Sequence, residues 1–277
     1  NDAVAAAAGS NVHVGEGAAL GNLGIAYNHL GEVHKAMEFQ ELAFIIDRKL
    51  GDRRGEGNTL GNLGNAHLRL GDARKAIEFY EQALAVAREI GDKSGEGASL
   101  TNLGNASGGL GNAPIAIKFY EEALDISREI GDRRGEGAAL GNIGNSYNAL
   151  GDTRMAIEFY EQAMQIAKET GDKQNECAWL GGLGNTCFNL GNIQKASEYY
   201  EQALVVARNI EDRHSEGAIL GGLGNVYYNL GNASKAIEFY EKQLIIVLEI
   251  GDRRGEGIAL GSLGIAYAHV GEAHKAI

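Results

Sequence analysis

The chain of 277 residues holds a single proline and only two cysteines, and its 25 basic residues fall well short of its 37 acidic ones. Each shortage excludes something. The formal net charge of −12 argues against a nucleic-acid backbone as partner, because phosphate recognition needs a basic stripe. An acidic surface of this kind keeps a chain solvated. No apolar run approaches the ~18 residues that would span a membrane, and none is expected from an ordinary hydrophobic share of 44%. The cysteines, Cys177 and Cys187, lie ten residues apart. In one helix, at ~1.5 Å per residue, that is roughly 15 Å, too far for a disulfide. They read as small buried hydrophobes. Unpaired thiols fit a reducing compartment, so a cytoplasmic location is expected.

The lone proline, Pro114, follows the expected helix cap Asn112 by two residues, in a first turn where its missing N–H costs nothing. No segment carries a strand signal. The chain begins without Met and breaks off at Ala276-Ile277 in mid-pattern, so it is expected to be a fragment.

Glycine, by contrast, is abundant at 41 residues, and much of it is periodic. Gly24, Gly64, Gly104, Gly144, Gly184, Gly224 and Gly264 return every forty residues without one insertion. A fixed period in this range means stacked copies of one supersecondary unit, each touching only its neighbours. In the unit spanning 51–90, Leu60, Leu63, Ala66, His67 and Leu70 recur at helical spacing, and so do Ala76, Ile77, Tyr80, Ala83, Leu84, Ala87 and Ile90. Asp52 and Asp72 are placed as N-caps, each after a glycine (Gly51, Gly71) suited to the left-handed end of the preceding helix. Each unit is therefore expected to be an antiparallel pair, helix A and helix B. Gly61 and Gly64 should each cost about 1 kcal/mol relative to Ala inside helix A. Gly64 and its equivalents are expected where a neighbouring helix comes close. Gly61 lies on another face, and Thr101 replaces it once.

The rhythm Leu60-x-x-Leu63-Gly64-x-x-His67, then Ala76-x-x-x-Tyr80-x-x-Ala83, resembles the tetratricopeptide repeat. Its usual aromatic appears as Tyr27, Tyr147, Tyr227 and Tyr267, and is replaced by His67, Ser107 and Cys187. The unit is longer by about six residues than the usual ~34. This forty-residue variant, over residues 15–277, is similar to the Partner-of-Inscuteable type of G-protein signalling modulators and to bacterial tetratricopeptide scaffold proteins. The resemblance implies an all-α, right-handed superhelical solenoid whose A helices line a concave face. Residues 1–14 are expected to be irregular or a partial helix before a single array at 15–277, about six and a half units with the last truncated.

Opposite the core stripe of helix A runs a polar one, Asn58, Asn62, Asn65 and Arg69. Across units one position reads Asn65, Asn105, Asn145, Asn185 and Asn225, and the position a turn earlier reads Asn22, Asn62, Asn102 and Asn142. An amide offers both a donor and an acceptor, matching the N–H and C=O of an extended peptide. Helix layers roughly 10 Å apart would give one rung per three or so extended residues. Six or seven units would then hold very roughly 15–20. The family resemblance points the same way, since similar asparagines hold extended partner peptides there. A second reading stands beside it: the amides are solvated, or they lock the stack by bonding a neighbouring repeat. The rows also change, to Ile25 and Ile265 in one and to Gly182, Gly222 and Ser262 in the other. Ala18, Asn58, Ala98, Ala138 and Gly21, Gly61, Thr101, Gly141 supply no lysine clamp of the chaperone-binding kind, which argues against an acidic C-terminal tail as ligand. Phe188 and Tyr228 either add an apolar patch for a ligand or pack against adjacent helices.

Other signals carry less. Gly55-x-Gly57 with Gly61 has no preceding strand and no following lysine, so it is no phosphate loop. The pairs Arg53-Arg54, Arg133-Arg134 and Arg253-Arg254 are expected in salt bridges at repeat junctions. Glu16, Glu56, Glu96, Glu136, Glu176, Glu216 and Glu256 suit the first-turn dipole of helix A. His29 and His34 reappear as His269 and His274, exposed beside a turn, and no metal is assigned. Trp179 replaces a small residue as a local contact point, and Ser107-Gly108-Gly109 is expected to weaken the end of its helix. The unfinished helix at Ile277 would be completed by the alanine-rich Ala3–Ala8 of a neighbouring molecule, giving head-to-tail association. The expected function is a non-catalytic scaffold without cofactor, binding an extended peptide. The rivals are a sensor array of a larger signalling protein or enzyme, and a self-assembling repeat without a ligand.

Overall fold

Gly-Asp punctuation every twenty residues becomes a helix end and a helix start each time. The computed structural model describes residues 15–271, so Ala3–Ala8, His274 and Ile277 lie outside the described residues. Thirteen helices follow: α1 (Glu16–His29), α2 (Val33–Leu50), α3 (Arg53–Arg69), α4 (Ala73–Ile90), α5 (Lys93–Gly109), α6 (Ala113–Ile130), α7 (Arg133–Ala149), α8 (Thr153–Thr170), α9 (Lys173–Asn189), α10 (Ile193–Asn209), α11 (Arg213–Asn229), α12 (Ala233–Glu249) and α13 (Arg253–His269). Odd-numbered helices are the A helices and even-numbered the B helices. There is no strand among the described residues.

The caps act as the sequence predicts. Asp52 accepts from the Gly55 N–H at 2.9 Å and Asp72 from the Lys75 N–H at 3.1 Å, satisfying donors the helix itself leaves open. Asn112 differs: its side chain makes no cap bond. Pro114 brings no N–H to this turn, and the Ile115 N–H goes to the Asn112 backbone oxygen instead. At the helix ends Gly51 and Gly71 adopt φ of 71° and 81°. The one departure is Glu211, which takes φ 56° where other repeats place glycine.

The chain divides into two units, the division falling between Ala139 and Leu140 inside α7. In the first, Leu60, Ala83 and Val86 pack with Phe44 and Phe79, and Tyr80, Leu100, Leu103 and Ala106 form the neighbouring cluster. In the second, Leu180, Tyr200, Leu220 and Leu223 are buried together, followed by Tyr240, Leu263 and Ala266. Within each unit successive A helices touch (α1 with α3, α3 with α5; α9 with α11, α11 with α13), whereas successive B helices do not. The A helices thus form the tighter, inner layer.

The aromatic after the Leu-Gly pair stacks on a phenylalanine of helix B: Tyr27 on Phe39 at 5.2 Å, Tyr147 on Phe159 at 5.5 Å, Tyr227 on Phe239 at 5.3 Å. His67 takes the same place on Phe79 at 5.3 Å, and burial lowers its pKa. Ser107 and Cys187 are buried there. Helix α5 runs unbroken through Gly108 to Gly109, so the expected weakening of its end does not interrupt it. Both cysteines are buried free thiols on α9, and burial pushes Cys177 up to about 11.

The periodic glycine answers to a tyrosine. A Cβ at Gly184 would lie 2.6 Å from the Tyr200 ring, and Gly64, Gly104, Gly144 and Gly224 face Tyr80, Tyr120, Tyr160 and Tyr240 in the same way. Gly61 and Gly181 would meet nothing within 4 Å.

The first-turn glutamates do more than complement a dipole. Glu216 is buried and accepts from Arg208 of the preceding helix at 2.8 Å and from Arg213 at 2.5 Å. Glu96 is held by Arg88 and Lys93, and Glu136 by Arg128 and Arg133. Burial works to raise these carboxyls, but the hydrogen bonds from their basic partners outweigh it and the net shift is downward. Arg53 pairs with Glu56 and Glu89, and Arg54 with Asp92, as expected of the repeat junctions.

Candidate functional site: amide-lined clefts on the inner helices

Each asparagine of the main row belongs to a pair. The Tyr80 hydroxyl donates to Asn65 Oδ1 at 2.8 Å and that of Tyr120 to Asn105 Oδ1 at 2.7 Å. In the second unit Tyr160, Tyr200 and Tyr240 do the same to Asn145, Asn185 and Asn225 at 2.6, 2.6 and 2.7 Å. The tyrosine rings are buried, and burial pushes each phenol up to about 12. The amides themselves are exposed or half-buried. With Oδ1 engaged by a buried tyrosine's hydroxyl, the side chain is oriented, and its Nδ2 group donates to nothing among the described residues. The repeat bonds its asparagine within itself rather than to a neighbouring repeat. Where the rung is Ile25, the residue fifteen positions on is Gln40, which donates from Nε2 to the Gly21 carbonyl at 2.8 Å.

The other expected residues divide. Asn62 is half-buried and donates to Gln40 Oε1 at 3.4 Å. Asn62, Asn65 and Asn102 line one cleft of about 170 Å³ with Arg53 and Asn58, and Asn102 also borders a cleft with Ala98 and Thr101. In the second unit Asn145 and Asn185 share a cleft of about 260 Å³, and Asn185 and Asn225 another of about 400 Å³. Asn142 is half-buried, and its carbonyl accepts from Ser146 Oγ at 2.9 Å. Arg69 is exposed at the end of α3 and borders none of these clefts. Phe188 packs against the core of α9–α11, and Tyr228 sits edge-on to His269 at 5.5 Å within the next cluster. Both aromatics are half-buried against adjacent helices.

After Asn142 the second row turns to glycine beside two tyrosine rings. A Cβ at Gly182 would come within 2.9 Å of the Tyr160 ring, and at Gly222 within 2.7 Å of Tyr200. These tyrosines belong to the preceding repeat, and at these two positions the absent side chain leaves space for the ring. Trp179 likewise occupies the space over Gly141, stacking on Tyr160 at 6.1 Å.

One polar group at the clefts was missed in the sequence. Asp47 on α2 is buried behind a cleft of about 480 Å³ lined by Gly17, Gly21, Asn22, Asn58 and Asn62. Burial raises its pKa, the Thr59 hydroxyl bonded to it at 3.1 Å works the other way, and the charges of Asp52 and Glu56 add to the rise. The available signal was a lone break of pattern, since the equivalent residues are Ala87, Ser127, Ala167, Ala207 and Val247. Among the described residues no group of three His, Cys, Asp or Glu side chains is arranged to hold a metal, and no helix is long and apolar enough to cross a membrane.

The tetratricopeptide repeat family model matches residues 15–89, 95–169, 174–242 and 215–277. The chain belongs to the tetratricopeptide repeat family. Solved tetratricopeptide structures share the fold at low identity. BtubC (BKLC) from P. vanneervenii is 20% identical with a TM-score of 0.70, over 79% of this chain and 92% of that one. A signal transduction ATPase with numerous domains, with a tetratricopeptide repeat sensor, from Pyrococcus horikoshii is 22% identical with a TM-score of 0.76, over 92% of this chain and 41% of that one. A Rap protein complexed with competence and sporulation factor is 14% identical with a TM-score of 0.68, over 98% and 80%. No curated protein matches the chain. Tetratricopeptide arrays are folds that build extended binding surfaces from stacked repeats.

Proposed function

We propose that this tetratricopeptide array is a non-catalytic scaffold that holds an extended peptide segment along its inner helices. The observation that carries this reading is the Tyr–Asn pair. Five times a buried hydroxyl engages the Oδ1 of an outward asparagine and leaves its amino group to donate. An amide used only to lock the stack would direct its donors inward as well. Backbone carbonyls of an extended segment are the matching acceptors, available whatever the peptide's side chains. The clefts between successive inner helices are open and shallow, suited to single side chains rather than to an enclosed small molecule. The Rap neighbour, complexed with competence and sporulation factor, and the tetratricopeptide repeat sensor of the Pyrococcus horikoshii neighbour are consistent with ligand capture by this fold.

The test is selection of random 16-residue peptides on the wild-type chain, followed by affinity measurement against Asn65→Ala/Asn105→Ala. Each lost charge-free hydrogen bond is worth about 1 kcal/mol, so the double variant should bind about ten- to thirtyfold more weakly with unchanged helicity. Equal binding by wild type and variant would make the amides structural. A self-assembling array without a ligand would yield no selected peptide.

A further inference from the structure

The first repeat has a buried acid that its packing does not use. Asp47 is 5% exposed, yet among the described residues its carboxylate accepts one hydrogen bond, from the neutral Thr59 hydroxyl to Oδ2, and pairs with no cation. Two basic groups of this region are otherwise engaged: Arg54, which lines the same cleft, donates to Asp92 at 3.0 Å, and Arg48 lies against Glu56 at 3.6 Å and over the Phe44 ring. The charges of Asp52 and Glu56, both negative, act to raise the Asp47 pKa further. A buried carboxylate with no counter-charge is costly.

Glycines that recur in the other repeats leave room for this side chain. A Cβ at Gly17 would collide with Oδ1, and one at Gly55 would lie 2.8 Å from Cγ. Gly17, Gly21, Asn22, Asn58 and Asn62 form the inner-helix wall of the cleft at whose base Asp47 sits. Other repeats place Ala87, Ser127, Ala167, Ala207 or Val247 here, none of them charged.

We propose that the cleft between α1 and α3 is a specificity pocket for a basic side chain, lysine or arginine, of the extended peptide, with Asp47 as its counter-ion at the base. The inference rests on the peptide-binding reading and adds to it. The amides hold any backbone, whereas Asp47 sets which residue may lie over the first repeat. A ligand ammonium or guanidinium supplies the charge that the fold withholds, and charge-assisted bonds of this kind are about twice as strong as neutral ones.

The test uses peptides selected from a random 16-residue library on the whole chain. Wild type should enrich a lysine or arginine at one fixed position. Asp47→Asn, which keeps the shape and the Thr59 partner, should lose that preference. Asp47→Ala, the residue of the equivalent positions, serves if the asparagine variant is unfolded by circular dichroism. Replacing the enriched basic residue by norleucine should weaken binding about tenfold or more on wild type and leave it unchanged on the Asp47 variants. Peptides that need Asn65 and Asn105 but bind wild type and Asp47 variants alike would overturn the pocket and leave the scaffold reading intact. Failure to select any peptide would overturn both.

Discussion

At the scale of single residues the asparagine row and the tyrosine row are one feature. The pairing was legible, because a tyrosine stands fifteen residues after every asparagine rung and Gln40 stands fifteen after Ile25. What periodicity does not display is direction: which amide atom faces the hydroxyl depends on where helix B sets the ring. The pairs also predict an alkaline limit. A phenol held at about 12 in the fold and near 10 when unfolded keeps its proton longer in the native state. Its contribution is complete below pH ~10 and lost as the pH rises towards ~12. Urea midpoints should therefore fall steeply between pH 10 and 11.5, and Tyr160→Phe/Tyr200→Phe should flatten that fall. An equally steep fall in the variant would mean that these phenols do not set it. Asp47, by contrast, escaped the sequence reading because one substituted position leaves no periodic trace, and its burial comes from α1 and α3 together. Phe188 and Tyr228 were ambiguous for a similar reason. A half-apolar ring one turn from a polar row is exposed or packed according to the next repeat's helix.

At the scale of elements, helix starts and ends were readable nearly to the residue, because Gly and Asp mark them chemically. Glu211 is the exception to the glycine ends, with φ 56°. Left-handed backbone costs a side-chain-bearing residue about 1–2 kcal/mol, partly offset by the entropy glycine adds to the unfolded chain. Glu211→Gly should raise stability by about 0.5–1 kcal/mol in urea titrations, and a decrease would contradict the assignment. The two inner-helix glycines should respond with opposite signs. Gly61→Ala meets nothing within 4 Å and should stabilise by up to about 1 kcal/mol through helix propensity. Gly104→Ala drives a methyl into the Tyr120 ring and should destabilise by about 1–3 kcal/mol, as read from shifts in thermal midpoint. Sequence alone ranked these glycines correctly but could not name the ring. The close approach of Gly182 and Gly222 to tyrosines of the repeat before is likewise a contact between repeats that a single-repeat reading does not contain.

At the scale of the molecule, stability is a sum over repeats and the contacts between nearest helices. Excising residues 91–130, one whole period, joins Ile90 to Gly131 in register. The shortened chain should fold with the same helicity per residue, and its urea m-value should drop by about one seventh. Loss of cooperative folding would show that the repeats are less interchangeable than their spacing implies. The array itself was evident from its period. Its use was not, because a surface of amides is compatible with solvent as well as with peptide until the orientation of each amide is seen. The most direct measurement is therefore on the Nδ2 groups themselves. In ¹⁵N-correlated NMR spectra, the side-chain amide signals of Asn65, Asn105, Asn185 and Asn225 should shift on addition of a selected peptide, while their Tyr-bonded geometry persists. A peptide that binds and leaves those four signals in place would contradict the account.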